Sequence, residues 1–189
     1  MDTKRLHKLY VPVRGWVDFP LYFHHCRIAQ ELQKISLQLD KGNKRILEIG
    51  AGRKPCRELF PNARYTCTDI VWHDGIDQLI DVSSMPFRDN CFDLVICNNV
   101  LEHIPTPEMA VDEIHRCLRP EGNLFLVVPF LFPLHDIPYD YFRFTEYSLV
   151  NLFHKWPVVD IRKVYWFGPL AKYWKLSRFV LYYIVIAQK

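Results

Sequence analysis

The stretch Arg45-Ile46-Leu47-Glu48-Ile49-Gly50-Ala51-Gly52-Arg53-Lys54-Pro55 decides the fold. Its first five residues form a short, mostly apolar run with β-branched side chains, and the two glycines then break it. A buried strand that runs straight into Gly-x-Gly opens an α/β unit whose backbone passes close to a ligand. Upstream, Ile28, Leu32, Ile35 and Leu39 share one face of a helix predicted over 27–40, which Lys41-Gly42-Asn43 ends. Downstream, strands are predicted at 64–69, 78–81, 92–97 and 123–128. A helix over 108–118 carries Ala110, Val111, Ile114 and Leu118 on one face. Beyond residue 145 come a short helix (145–153), a strand (158–166), a helical piece (170–177) and a final strand (179–187).

Strands joined by connections of a dozen or more residues pair in parallel through right-handed crossovers. Continuous apolar interior strands require helices on both faces. The expected class is therefore α/β: a Rossmann-like open sheet of about seven strands, mostly parallel, with an antiparallel last strand. Residues 179–187 are apolar enough to suggest a membrane segment, but nine residues suit a strand and fall short of a spanning helix.

Half of the 189 residues are hydrophobic, which excludes a disordered chain, and the length fits one domain. The expected division is 1–42 as an N-terminal helical substrate cap, 43–129 as a cofactor-binding core, 130–145 as a substrate loop, and 146–189 as C-terminal helices and closing strands. Early charges and prolines argue against a secretory signal, and no uncharged 18-residue span is present. Six cysteines without a Cys-x-x-Cys pair fit reduced thiols in a cytoplasmic protein.

Charge is unevenly placed. Residues 1–14 hold four basic residues against Asp2, and 154–189 hold seven against Asp160. The middle holds 13 basic and 19 acidic residues. Basic ends allow peripheral contact with an anionic membrane, including a helix around Lys172, Lys175 and Arg178. Recognisable nucleic-acid modules are absent. No metal is expected, because His24-His25-Cys26 lacks a second half at ligand spacing.

In an open parallel sheet, ligands bind beyond the carboxyl ends of the strands. Gly50 to Gly52 follow the first strand there, and Asp69 closes the second, placed to accept both hydroxyls of a ribose. Asp81 and Val82 close the third strand, Asn98 and Asn99 the fourth. A dinucleotide wants a third glycine where Lys54-Pro55 stand, and Glu48 is ill placed near a pyrophosphate. S-adenosylmethionine has no phosphate and carries two cationic groups, which suit an acidic site.

Ile46-Leu-Glu-Ile-Gly-Ala-Gly52, Asp81-Val-Ser-Ser-Met-Pro-Phe-Arg-Asp-Asn-Cys-Phe-Asp93, Asn98-Asn-Val-Leu-Glu-His103 and Leu118-Arg-Pro-Glu-Gly122 follow in an order that resembles the class I S-adenosylmethionine-dependent methyltransferases of the type 11 small-molecule group. His135-Asp-Ile-Pro-Tyr-Asp-Tyr-Phe-Arg-Phe-Thr145 is similar to a loop in a bacterial subgroup linked to glycan and surface-polymer pathways. The resemblance covers about three quarters of the chain. It implies that Gly50, Ala51 and Gly52 line the methionine part, with Glu48 ordering the loop or facing the ammonium. It also implies that Asp69 takes the ribose and Ile70 flanks the adenine. Asp81 and the Val82 amide meet the base, and Asn98 offers its carbonyl.

His135 is the candidate general base, since methyl transfer to a hydroxyl gains from one and histidine titrates in the right range. Tyr139, Asp140 and Arg143 are candidate substrate contacts, with Arg143 equally able to brace Asp140. His103 reads as a packed or surface histidine. The expected acceptor is a small or lipid-linked molecule, such as a saccharide hydroxyl. Two other classes stay open: a catalytically silent binding or scaffold protein of the same fold, and a nicotinamide-dependent oxidoreductase.

Overall fold

The computed structural model describes residues 19–39, 42–53, 56–165 and 179–189, with side chains from residue 27 onward. The basic residues of 1–14, Lys54-Pro55 and the 170–177 piece lie outside the described residues, as do the side chains of His24, His25 and Cys26.

Helix α1 (Phe19–Leu39) leads into β1 (Arg45–Ile49), a 3-10 turn (Cys56–Leu59) and β2 (Arg64–Asp69). Next come β3 (Gln78–Leu79), β4 (Phe92–Asn98), a 3-10 turn (Leu101–His103), α2 (Pro107–Cys117) and β5 (Leu118–Pro129). Then α3 (Glu146–Leu152), β6 (Val158–Tyr165) and β7 (Val180–Gln188) complete the described chain. The seven strands form one sheet in the order β3-β2-β1-β4-β5-β7-β6. Strands β1 to β5 pair in parallel, and β7 runs antiparallel to both β5 and β6. Only β7 is therefore reversed against the rest of the sheet.

Three boundaries differ from the sequence reading. Helix α1 begins at Phe19, eight residues before the predicted start. Pro20 is tolerated there because first-turn N–H groups have no helical partner. Strand β3 shrinks to two exposed residues, as suits a sheet edge. Strand β5 starts at Leu118, which pairs with Phe92 before a register shift brings Asn123 opposite Leu94.

Alternation along the strands builds two core layers. On one face Ile46, Leu94, Ile96, Phe125, Val127 and Ile184 pack beneath Ile28, Leu32 and Ile35 of α1. On the other, Leu47, Val95, Leu124 and Val185 meet Ala110 and Ile114 of α2 and Leu149 of α3. Residues 27–39, read from sequence as part of a substrate cap, thus form a core layer over one sheet face. Cys67, Cys91, Cys97 and Cys117 are free, buried thiols, and Cys56 is buried as well. Among the described residues, no helix is long and apolar enough to cross a membrane.

An ion cluster fastens α1 to the sheet. Glu31 is 1% exposed and meets Arg27 and Lys34 of its own helix and Arg162 of β6, the last at 2.6 Å. Breaking a buried, charge-assisted cluster from one side leaves the remaining partners poorly solvated. Glu31→Ala is expected to lower stability by about 1–3 kcal/mol in urea denaturation, with Glu31→Gln costing less. An unchanged midpoint in both variants would show that this cluster does not hold the helix.

Candidate functional site

Strand order reverses between β1 and β4, so the connections leaving their paired carboxyl ends run to opposite sides, the place where open α/β sheets bind ligands. The glycine loop follows β1 on one side. Gly50 adopts φ +64°, and a Cβ there would lie 2.2 Å from Val100 Cγ2, so only glycine lets the loop pack on the segment after β4. Gly52 is also left-handed, at φ +55°, but a Cβ there would meet nothing within 4 Å. The inner glycine serves packing, while the outer one faces open space.

The loop is held from below and from the side. Both oxygens of buried Glu48 accept the Cys56 N–H, at 2.9 and 3.1 Å, and one also accepts the Tyr65 hydroxyl at 2.8 Å. Burial pushes the Glu48 carboxyl up to about 7 against these opposing hydrogen bonds. Of the two roles open from sequence, the geometry supports loop ordering: Glu48 lies beneath the loop and does not face a ligand. Asp69 accepts the Gly52 N–H at 2.9 Å on one oxygen and the Val71 N–H at 3.0 Å on the other. Each oxygen keeps a further lone pair for an outside donor.

Ile70 follows Asp69 at 72% exposure, with Val71 and Trp72 exposed beside it, an apolar ledge suited to a flat aromatic ring. Asp81 is exposed, one oxygen accepting the Ser83 N–H, and Val82 is buried beneath. Ala51 is buried, its N–H bonded to the Thr68 carbonyl. Asn98 is half-buried at the end of β4. Gly50, Ala51, Gly52, Asp69, Ile70, Asp81, Val82 and Asn98 thus stand at or just past the carboxyl ends of β1 to β4, with Glu48 beneath the glycine loop.

These features fit S-adenosylmethionine: a bare loop, a carboxylate with spare lone pairs and an apolar ledge. They fit a dinucleotide poorly. The glycine loop leads to a four-residue 3-10 turn, not to a helix whose N-terminus would hold a pyrophosphate.

The far side of the crevice is polar and buried. Among the described residues, Asn98 Oδ1, Asn99 Oδ1 and both Glu102 carboxylate oxygens are buried with no hydrogen-bond partner. Burial pushes the Glu102 carboxyl up to about 8. His135 arrives from the loop after β5, its ring 4.8 Å from that of His103. Glu102, His103 and His135 place their ligand atoms within 4.8 Å of one another. The sequence reading named His135 but gave Glu102 no role, left His103 as a packed or surface residue and expected no metal cluster. The clue lay in Asn98-Asn-Val-Leu-Glu-His103, since a 3-10 turn right after a central strand keeps its residues at the rim.

The substrate candidates part company. Arg143 binds both oxygens of Asp140 at 2.5 and 2.6 Å and reaches the carbonyls of Phe132, Pro133 and Phe142. It therefore braces its own loop instead of facing an acceptor anion. Asp140, 2% exposed, is held well below the usual carboxylate range by Arg143, and it cannot reach a substrate while so engaged. Tyr139 remains exposed.

Comparison with known proteins finds methyltransferases among the matches. Residues 47–126 match the family model described as a methyltransferase domain. Over that segment the chain is similar to class I S-adenosylmethionine-dependent methyltransferases. The ubiquinone biosynthesis O-methyltransferase of Xanthomonas oryzae is 27% identical over 131 residues, which cover 60% of this chain. The match spans 55% of that relative, so this chain covers about half of its length. A crystallised 1,6-didemethyltoxoflavin-N1-methyltransferase of Burkholderia thailandensis, with its bound substrate and S-adenosylhomocysteine, superimposes with TM-score 0.62 at 21% identity. That alignment covers 95% of this chain and 92% of the other. An S-adenosylmethionine-dependent methyltransferase of Archaeoglobus fulgidus gives TM-score 0.64 at 16% identity, over 86% of this chain and 94% of its own.

Two outcomes follow for the rim. The folded state binds the Glu48 proton more tightly than the unfolded chain, so its contribution is full below about pH 4.5 and is lost as pH rises toward 7. Stability relative to Glu48→Gln should fall by up to about 3 kcal/mol across that window, and parallel pH curves for the two proteins would refute it. Gly50→Ala should cost at least about 2 kcal/mol and Gly52→Ala about 1 kcal/mol in chemical denaturation; equal losses would deny the contact with Val100.

Proposed function

We propose that this chain binds S-adenosylmethionine across the β1–β2–β4 rim and methylates an oxygen of a small-molecule or lipid-linked acceptor, for which a saccharide hydroxyl is a candidate. The observation that carries the reading is the Asp69 carboxylate locked to the Gly52 amide, which joins the ribose position to the bare loop in one rigid unit. Asp69 takes the ribose hydroxyls, Ile70 covers one face of the adenine, and Asp81 with the Val82 amide meets its edge. Gly50, Ala51 and Gly52 allow the methionine part to lie close to the backbone, and the Asn98 carbonyl receives its ammonium. When bound, the sulfonium supplies the methyl carbon, which an acceptor oxygen attacks as the carbon–sulfur electron pair returns to sulfur.

The chain's part is alignment, which supplies a large share of the rate for an in-line displacement. Tyr139 and the exposed Leu134 and Ile137 border the acceptor side with amphipathic and apolar surface. Arg143 and Asp140 keep the 130–145 loop in shape so that His135 reaches the crevice. An oxygen acceptor draws support from the ubiquinone relative, named for O-methylation. The saccharide draws support from the similarity of the 135–145 loop to its subgroup.

Calorimetric titration with S-adenosylmethionine tests this directly. Asp69→Ala should weaken binding at least tenfold, about 1.4 kcal/mol, beside a modest loss of melting temperature from its lost bonds to the Gly52 and Val71 amides. Undiminished affinity would remove the site assignment. Metabolite extracts incubated with isotopically labelled donor should yield one labelled product, whereas donor binding without any product would mark a silent scaffold.

A further inference from the structure

Three groups with lone pairs available to a cation converge at the acceptor side of the rim. Glu102 is 0% exposed, and neither of its oxygens has a hydrogen-bond partner among the described residues. His103 Nε2 and His135 Nε2 each lie 3.8 Å from Glu102 Oε1, beyond hydrogen-bond reach. The ring tautomers follow from the other nitrogens. His103 Nδ1 is 2.9 Å from the Tyr139 carbonyl, which can only accept, so Nδ1 carries the proton. His135 Nδ1 is 3.2 Å from both the Pro133 carbonyl and Asp140 Oδ2, again acceptors only. In the neutral rings both Nε2 atoms therefore present lone pairs toward a buried carboxylate.

A buried arrangement of this kind is costly unless a cation lies at its focus. We propose that Glu102 Oε1, His103 Nε2 and His135 Nε2 are the ligands of a divalent transition-metal ion at the acceptor side of the crevice. Two imidazoles and one carboxylate suit zinc, iron or cobalt better than magnesium, which prefers oxygen alone. Each Nε2 lies 3.8 Å from Glu102 Oε1 and the three ligand atoms lie within 4.8 Å of one another, so side-chain adjustments of up to about 1 Å bring them to roughly 2.0–2.2 Å from one ion. Surrounding groups are those that orient metal-bound histidines elsewhere: a carbonyl on one Nδ1, and a carboxylate fixed by Arg143 together with a carbonyl on the other. Asp136 Oδ2, 3.8 Å from His103 Nε2 and exposed, is within reach as a further ligand.

Three protein ligands leave positions for an acceptor oxygen. A metal there lowers the pKa of a bound hydroxyl, so its proton is lost to solvent before the oxygen attacks the methyl carbon. This use of the ion rests on the methyl-transfer reading, whereas metal binding itself does not. It makes His135 a ligand in place of the general base expected from sequence.

The test is titration of the metal-free protein with Co²⁺ and Zn²⁺, without donor, followed by calorimetry and by the visible absorption of cobalt. One equivalent should bind, with ligand-field bands of a nitrogen–oxygen site, and should raise the melting temperature. Mg²⁺ should do neither. His135→Asn, on a partly exposed loop, should lose at least tenfold in affinity, and His103→Asn with Glu102→Gln should abolish uptake. Metal-free Glu102→Gln should melt above the metal-free parent, because a partnerless buried carboxyl has been replaced, and this also shows that the variant folds. Substoichiometric uptake by the parent protein, uptake unchanged in the histidine variants, or an intense thiolate charge-transfer band would each overturn the assignment. Donor affinity measured in parallel keeps failure here apart from failure of the Asp69 site.

Discussion

Glu48 lies buried at the end of β1, with the start of the 3-10 turn and the tyrosine of the neighbouring strand both donating to it, and every other feature of the cofactor side depends on that anchorage. A glycine-rich loop has little side-chain packing to hold it and a large backbone entropy to lose. Ties from a single carboxylate below, and from Asp69 at the side through the Gly52 amide, remove that freedom. The loop can then expose its backbone toward the crevice in one conformation. Burial of Glu48 raises its proton affinity, so the acid that orders the loop also destabilises the fold near neutrality. Departures of this kind from maximal stability collect at functional rims.

The two halves of the crevice are built on different physics. On the β1–β2 side, backbone amides are already paired with carboxylates, and what remains available is shape, an apolar ledge and spare lone pairs. On the β4–β5 side, acceptors outnumber donors: the two asparagine oxygens and both oxygens of Glu102 lack partners within the described protein. Buried polar groups normally find partners, so a cluster of orphaned acceptors at one rim points outward to something the protein binds. A sulfonium nucleoside and a metal-held acceptor oxygen would each place positive charge there.

The loop between β5 and α3 shows why a charged side chain in a promising place need not touch substrate. Arg143 and Asp140 form a bidentate pair, and the same guanidinium gathers three carbonyls of the loop. A guanidinium engaged this way is a brace whose removal would collapse the loop. Its product is the position of His135, which donates its backbone N–H to Asp140 at 2.9 Å.

Local pattern alone determined the strands of the core, the parallel run with its reversed final strand, and the placing of Asp69 and the glycines at the rim. Those features follow from period-two burial and from glycine breaks, which are written in consecutive residues. Sequence also left Glu48 with two roles and Arg143 with two, because whether a carboxylate faces a ligand or a backbone amide depends on groups distant along the chain. The same limit hid the long start of α1, where aromatic residues, histidines and a proline blur the helical repeat. It hid the meeting of His103 with His135 as well, 32 residues apart and on different loops. Only the tertiary structure decided these points: sheet order sets which strand ends become neighbours, and no repeat within one segment encodes that.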